Sequence, residues 1–201
     1  MTNNSSTGGF LQPSPQFPAV PDGLTFQQFL QSVFAGISGL PGDLVRPAWQ
    51  PEEPKQPDGN TNWLAFGLTN NEASDNAFVG SAVVSNQIVN VTQRMEDLEI
   101  LCSFYGPLSQ EYMQLTRDGF QIQQNLESLT LAGMGFVEAR RGHRLPENVN
   151  GIWIDRWQMN FYLTRQILRA YPILTFLSAS GTLTGVLDSG VVKNVDWNVT
   201  F

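Results

Sequence analysis

The sequence predicts an α+β domain: an antiparallel or mixed β-sheet flanked by two to three helices, with an extended Pro-rich arm. Three observations lead there. Apolar residues recur at helical spacing only in a few short segments, chiefly residues 25–38 and those after 107. Period-2 and β-branched runs fill most of the remainder and follow one another directly, unlike the strand–helix alternation of a parallel sheet. Residues 46–57, RPAWQPEEPKQP, hold four prolines, which fix φ and remove donors, so this stretch cannot enter a central sheet.

Residues 1–23 are Asn, Ser, Thr, Gly and Pro with isolated aromatics, an N-terminal extension that is flexible or docks elsewhere. A helix start follows at LTFQQF, with Thr25 as N-cap, Gln28 as its reciprocal partner, and Leu24 and Phe29 as the flanking hydrophobic staple. Phe26, Phe29, Leu30, Val33, Phe34 and Ile37 make the helix amphipathic over 25–38, and Gly39 and Pro41 stop it.

After the arm, residues 61–69 (TNWLAFGLT) read as a strand, as do the Asn-interrupted residues 77–91. Leu98, Ile100, Cys102 and Phe104 alternate with Glu99, Leu101 and Ser103, the period of a strand with one buried face. Gly106-Pro107 closes it and opens a second helix whose apolar stripe is read as Leu108, Tyr112, Leu115 and Phe120. A short third helix over 125–132 ends at Gly133, and residues 134–140 return to strand.

Residues 152–171, IWIDRWQMNFYLTRQILRAY, fit period 2 better than a helical period. One long strand places Trp153, Trp157, Met159, Phe161, Leu163 and Ile167 on one face, together with Asp155, Arg165 and Arg169. TFLSA, TLTGV and GVVKNVDWNVTF finish the chain as short strands separated by Ser-Gly turns. The domain reading is an extension over 1–23, an α+β domain over 24–180 and a C-terminal β extension over 181–201.

Charge narrows the function classes. The net charge of −7 argues against a protein held to nucleic acid over its whole surface. Only 14% of residues are charged, against the usual quarter. Amides cover part of such a surface, and burial against other subunits is a second way to cover it. The charge is also segregated. Residues 140–171 carry Arg140, Arg141, Arg144, Arg156, Arg165 and Arg169 against Glu147 and Asp155, a local +4 that leaves −11 elsewhere. Nine arginines beside only Lys55 and Lys193 favour geometric pairing in interfaces over diffuse attraction. Three readings stand for this strip: contact with acidic protein surfaces, contact with DNA phosphates, or salt bridges to Glu96, Asp97 or Glu99 across the sheet. The protein interface ranks ahead of DNA.

Chemistry has little to work with. His143 is the lone histidine and Cys102 the lone cysteine, so neither a disulfide framework nor a His/Cys metal set is available. No nucleophile elbow or phosphate loop occurs, and Glu96, Asp97 and Glu99 point to alternate faces of a strand. We expect no enzyme: no catalytic residues, no metal ligands and no cofactor. Cys102 reads as a core residue and His143 as a loop residue. No apolar run approaches the ~20 residues of a membrane span, and MTNNSSTGGF lacks the features of a signal peptide, so a cytoplasm-like compartment is expected.

Three segments in order, LPGDLVRPAWQPEEPKQPDGNTNWLAFGL, LEILCSFYGPLSQEYMQLTRDGFQIQQNLESL and GMGFVEARRGHRLPENVNGIWIDRWQMNFYLTRQILRAYPIL, resemble the neck or tail terminator proteins of contractile-tailed bacteriophages. The resemblance covers roughly residues 24–180. It implies a ring-forming subunit, usually six-fold, in the virion neck after assembly in the host cytoplasm. Such a ring caps the tail tube, contacts the last sheath ring and joins the head connector or other neck proteins. Genomic DNA would pass through its lumen without sequence-specific binding, and no membrane is involved. A stopper or portal adaptor is the nearest alternative, and a DNA-binding adaptor using the arginine strip a third. The residues we single out for subunit or partner contact are Trp49, Pro51, Glu52, Glu53, Arg140, Arg141, Arg144, Arg165 and Arg169. Trp49 is read as the anchor of an ordered arm lying on its own or a neighbouring subunit.

Overall fold

A computed structural model describes residues 10–14, 24–52, 54–74, 76–84, 87–149, 151–173, 178–186 and 192–200. The chain divides into two compact units, one of Met1–Ser14, Gly80–Val91 and Ala170–Phe201, the other of Pro15–Val79 and Thr92–Arg169. The elements in chain order are α1 (Leu24–Ser38), β1 (Val45–Pro47), β2 (Trp63–Ala73), β3 (Phe78–Val84), β4 (Gln87–Tyr105), α2 (Ser109–Gly119) and α3 (Glu127–Leu131). They continue with β5 (Met134–Ala139), β6 (His143–Arg144), β7 (Glu147–Val149), β8 (Ile152–Ile154), β9 (Arg156–Pro172), β10 (Ser178–Val186) and β11 (Val192–Thr200). The architecture is the expected α+β one, with a mixed sheet and three α-helices among the described residues.

In the larger unit the sheet order is β1-β2-β4-β9-β5, with β6 also paired to β9. β1 runs parallel to β2, whereas β2/β4 and β5/β9 are antiparallel. Period 2 sorts the side chains. Leu64 and Phe66 of β2, Leu98, Ile100, Cys102 and Phe104 of β4, and Met159, Phe161 and Leu163 of β9 are buried beneath the helices. Helix α1 lays Phe26, Leu30, Val33 and Phe34 onto this face. Phe34 is the hub, with its ring 5.5 Å from Phe66, 5.5 Å from Phe120 and 5.6 Å from Phe161.

Several details differ from the sequence reading. α1 begins at Leu24, so Thr25 lies inside its first turn rather than at the cap. In α2 the buried positions are Ser109, Met113 and Thr116, with Phe120 just beyond, while Leu108 and Leu115 are exposed. Helical period is the reason: Ser109, Met113, Thr116 and Phe120 recur three and four residues apart on the inward stripe, and Leu108 and Leu115 fall beside it. Gly119 lies against α1, where a Cβ would stand 2.6 Å from the Ile37 side chain. The long strand read over 152–171 breaks at Asp155: Ile152–Ile154 pairs with β7, and β9 begins at Arg156. The break turns Trp153 out to solvent instead of onto the core face. The Ser180-Gly181 pair is not a turn but lies mid-strand in β10, opposite Asn198 and Trp197. Ser189-Gly190 and most of TFLSA lie outside the described residues.

The described residues of the arm begin at the edge of the sheet. The first of them form β1, where the loss of a donor at Pro47 is tolerated. The Ala48 N–H donates to the Phe66 carbonyl at 2.6 Å, the Gln50 side-chain amide donates to the Pro47 carbonyl at 2.8 Å, and the Arg46 guanidinium donates to the carbonyls of Asp43 and Lys55 at 2.8 and 2.9 Å.

In the smaller unit β10 and β11 form an antiparallel hairpin from Ser178↔Thr200 to Val186↔Val192. Leu183, Val195 and Trp197 fall on one face of it and are exposed, while Thr182 and Asp196 on the other share a hydrogen bond.

Candidate assembly interface

Because the helices cover only one face of the sheet in the larger unit, its other face is the open one. The positions complementary to the core face line it: Trp63 and Ala65 of β2, Glu99, Leu101 and Tyr105 of β4, and Gln158, Asn160 and Tyr162 of β9, all half-buried. Trp63 and Tyr105 stack at 4.1 Å, and the Arg156 guanidinium sits 5.8 Å from the Tyr105 ring. Glu99 accepts hydrogen bonds from the Asn160 amide and, at 2.8 Å, from the Tyr162 hydroxyl. Burial, and then this bond to Glu99, push the Tyr162 pKa up. Gln158 donates to the Ser103 hydroxyl at 3.0 Å. This is a polar, aromatic surface, and its hydrogen bonds run between strands.

The sequence-read contact residues fall into three places. Trp49, Pro51 and Glu52 are exposed beside β1 at one edge of the sheet, and Glu53 lies outside the described residues. Trp49 has φ 56°, a left-handed backbone that a bulky side chain rarely takes. Its six-membered ring lies over Gly67, where an added Cβ would come within 2.4 Å of it, yet the residue remains 66% exposed. A recess opens on either side of the indole, one reaching Trp63 and Tyr105, the other Phe26 and Leu30.

Arg140, Arg141 and Arg144 lie at the opposite edge, after β5 and in β6. Arg140 donates to Glu138 at 2.8 Å and stands 4.2 Å over the Tyr162 ring; Arg144 donates to Asp155 at 2.8 Å. These hydrogen bonds to carboxylates are the main reason both guanidinium pKa values rise.

Arg165 goes elsewhere. It is buried on the core face, with Nε and Nη2 each 2.9 Å from Oε2 of Glu96. The guanidinium also stands 5.1 Å from the Phe26 ring. Of the three readings of the strip, the cross-sheet salt bridge describes this residue. Arg169 is exposed at the far end of the same strand. Adding the Arg156–Glu147 bridge at 2.8 Å, four of the six arginines are paired within the chain. Among the described residues Arg141 and Arg169 have no acidic side chain in salt-bridge contact.

Residues 25–186 match the family described as phage neck terminator protein. The chain belongs to that family. No curated protein matches it. The terminator family is structural, which gives this chain a tail-terminating role in the virion neck and makes other tail and head proteins its partners. Among the described residues no group of His, Cys, Asp and Glu is arranged to hold a metal ion, and no helix is long and apolar enough to cross a membrane. The terminator's open sheet face was missed in the sequence, although its signal was there: Gln158, Asn160, Tyr162 and Thr164 alternate with the core residues of β9.

Proposed function

We propose that this terminator subunit forms a closed six-fold ring at the head-proximal end of a contractile tail. The ring ends polymerisation of tube and sheath, joins the tail to the head connector, and lets genomic DNA slide through its lumen. The observation that carries this reading is the placement of two unlike contact zones at opposite edges of one sheet. An exposed Trp with the acidic tip Pro51-Glu52 stands at the β1 edge, and a cluster of arginines stands at the β5/β6 edge. Four strand spacings separate those edges, roughly 19 Å. Two different complementary surfaces on one subunit make a head-to-tail contact, and such contacts close into a ring when the rotation between neighbours divides the full turn evenly.

Pairing of most of the arginines within the chain favours protein contact over DNA contact for this strip. The net charge of −7 suits a lumen that DNA must traverse without being retained. Electron microscopy of the purified protein, with and without tail tubes, tests the reading. Six-membered rings seated on tube ends are expected. Monomers that never cap tubes would overturn it, twelve-membered rings would point to a portal adaptor, and steeply salt-dependent DNA binding would point to the adaptor that reads nucleic acid.

A further inference from the structure

An exposed tryptophan in a left-handed backbone is costly twice over. The backbone conformation costs on the order of 1–3 kcal/mol, and the indole, resting on Gly67, leaves most of its apolar surface in water. Within one subunit neither cost is offset by burial. Tryptophans held this way are the residue type that carries binding energy at the centre of protein interfaces.

The opposite edge offers a complement. Beside β5 and β6 an open cavity of about 530 Å³ is floored by Leu101, Gln158, Asn160 and Tyr162 and rimmed by Arg141 and His143. Its volume lies in the range of built ligand sites. Its chemistry suits an amphipathic indole: Leu101 and the Tyr162 ring beside the amides of Gln158 and Asn160, the Glu99 carboxylate as an acceptor for Nε1–H, and Arg141 free to lie over the ring face. The charges match as well. Glu52 and, in sequence, Glu53 follow Trp49 within four residues, while Arg141 has no acidic partner among the described residues. Arg46, at the base of the arm, is tied to the carbonyls of Asp43 and Lys55.

We infer that Trp49 of one subunit inserts into the Leu101–Tyr162 cavity of the next, with Glu52 meeting Arg141, and that this is the repeating contact of the ring. This inference rests on the ring reading above and gives it a specific joint.

A photo-crosslinking amino acid replacing Trp49 in the full chain tests it, with light and heavy isotope-labelled copies mixed so that links between subunits are distinguished from links within one. The expected result is intersubunit links to peptides containing Leu101, Arg141 or Tyr162. Rings whose residue 49 links only to its own chain, or to another surface of a neighbour, would overturn the joint and leave the ring standing. An absence of rings in the wild-type protein would overturn both. If the bulky photoprobe blocks assembly, Trp49→Ala and Leu101→Arg serve instead. Each should raise the concentration needed for ring formation at least tenfold with the thermal melt of the subunit unchanged, and rings at wild-type concentration in both variants would overturn the joint.

Discussion

Arg165→Ala should destabilise the fold rather than blunt a surface. In the folded chain the side chains of Arg165 and Glu96 are 6% and 10% exposed. The guanidinium holds one carboxylate oxygen through two nitrogens at 2.9 Å, and the Asn71 amide donates to that same oxygen at 3.1 Å. At an effective dielectric of about 20, charges this close attract by about 6 kcal/mol. Desolvation of the two ions consumes most of that, so the pair as a whole stabilises little. Its rupture is another matter, because a carboxylate left in the pocket beside Phe26 keeps its desolvation cost with no counter-charge. The loss expected for Arg165→Ala is about 3–5 kcal/mol, or about 6–20 °C in melting temperature for a chain of this size. Replacing both partners, Arg165→Met with Glu96→Leu, should return stability close to the wild type. Urea denaturation followed by near-UV circular dichroism measures both. A loss below about 1 kcal/mol in the single variant, or a double variant no better than the single, would refute the reasoning. It follows that reduced assembly or reduced DNA affinity in Arg165→Ala would report lost stability of the subunit. The surface role of the strip is tested instead at Arg141 and Arg169.

Other outcomes follow from the same packing. Phe34→Ala removes the ring that touches Phe66, Phe120 and Phe161 and should cost about 3–5 kcal/mol in the same denaturation assay. Gly106→Ala should destabilise by about 1–3 kcal/mol, because φ there is 104° and a Cβ would meet the Thr61 carbonyl oxygen at 2.6 Å. Cys102 is fully buried, and burial pushes its thiol pKa well up, so the thiolate is scarcer at pH 7–8 than in a free cysteine. Maleimide should therefore label it only as the chain unfolds, with a rate that follows urea concentration; rapid labelling of the native protein would contradict that placement.

Much of the fold was legible because it depends on local period. The stripe from Phe26 to Ile37, the alternation from Leu98 to Phe104 and that from Trp157 to Ile167 each mark an element and its buried face. The resemblance to terminators was legible too, since it rests on the order of short segments along the chain. Misread details share a cause, in that a neighbour distant in sequence decided them. Leu115 gave up its place to Met113 and Thr116 because the face that α2 turns inward depends on where α1 lies against it, at Gly119. The strand read over 152–171 broke because Asp155 is engaged from two sides, its carbonyl by the Gly106 N–H at 3.1 Å and its carboxylate by Arg144 at 2.8 Å.

The candidate interface divides along the same line. That Trp49 interrupts a proline-rich stretch, and that six arginines fall between residues 140 and 171, could be read directly from composition and spacing. By itself the sequence determined the α+β class, the strand periods, the scarcity of catalytic groups and the family. Tertiary structure alone decided that Arg165 is an interior ion pair while Arg141 stands at an edge, and that Trp49 and the arginine edge lie on opposite sides of one sheet. The reason is physical. A residue's period along the chain says which face it takes, but burial, charge pairing and distance depend on which strand lies alongside, and that pairing is set by contacts between residues far apart in sequence.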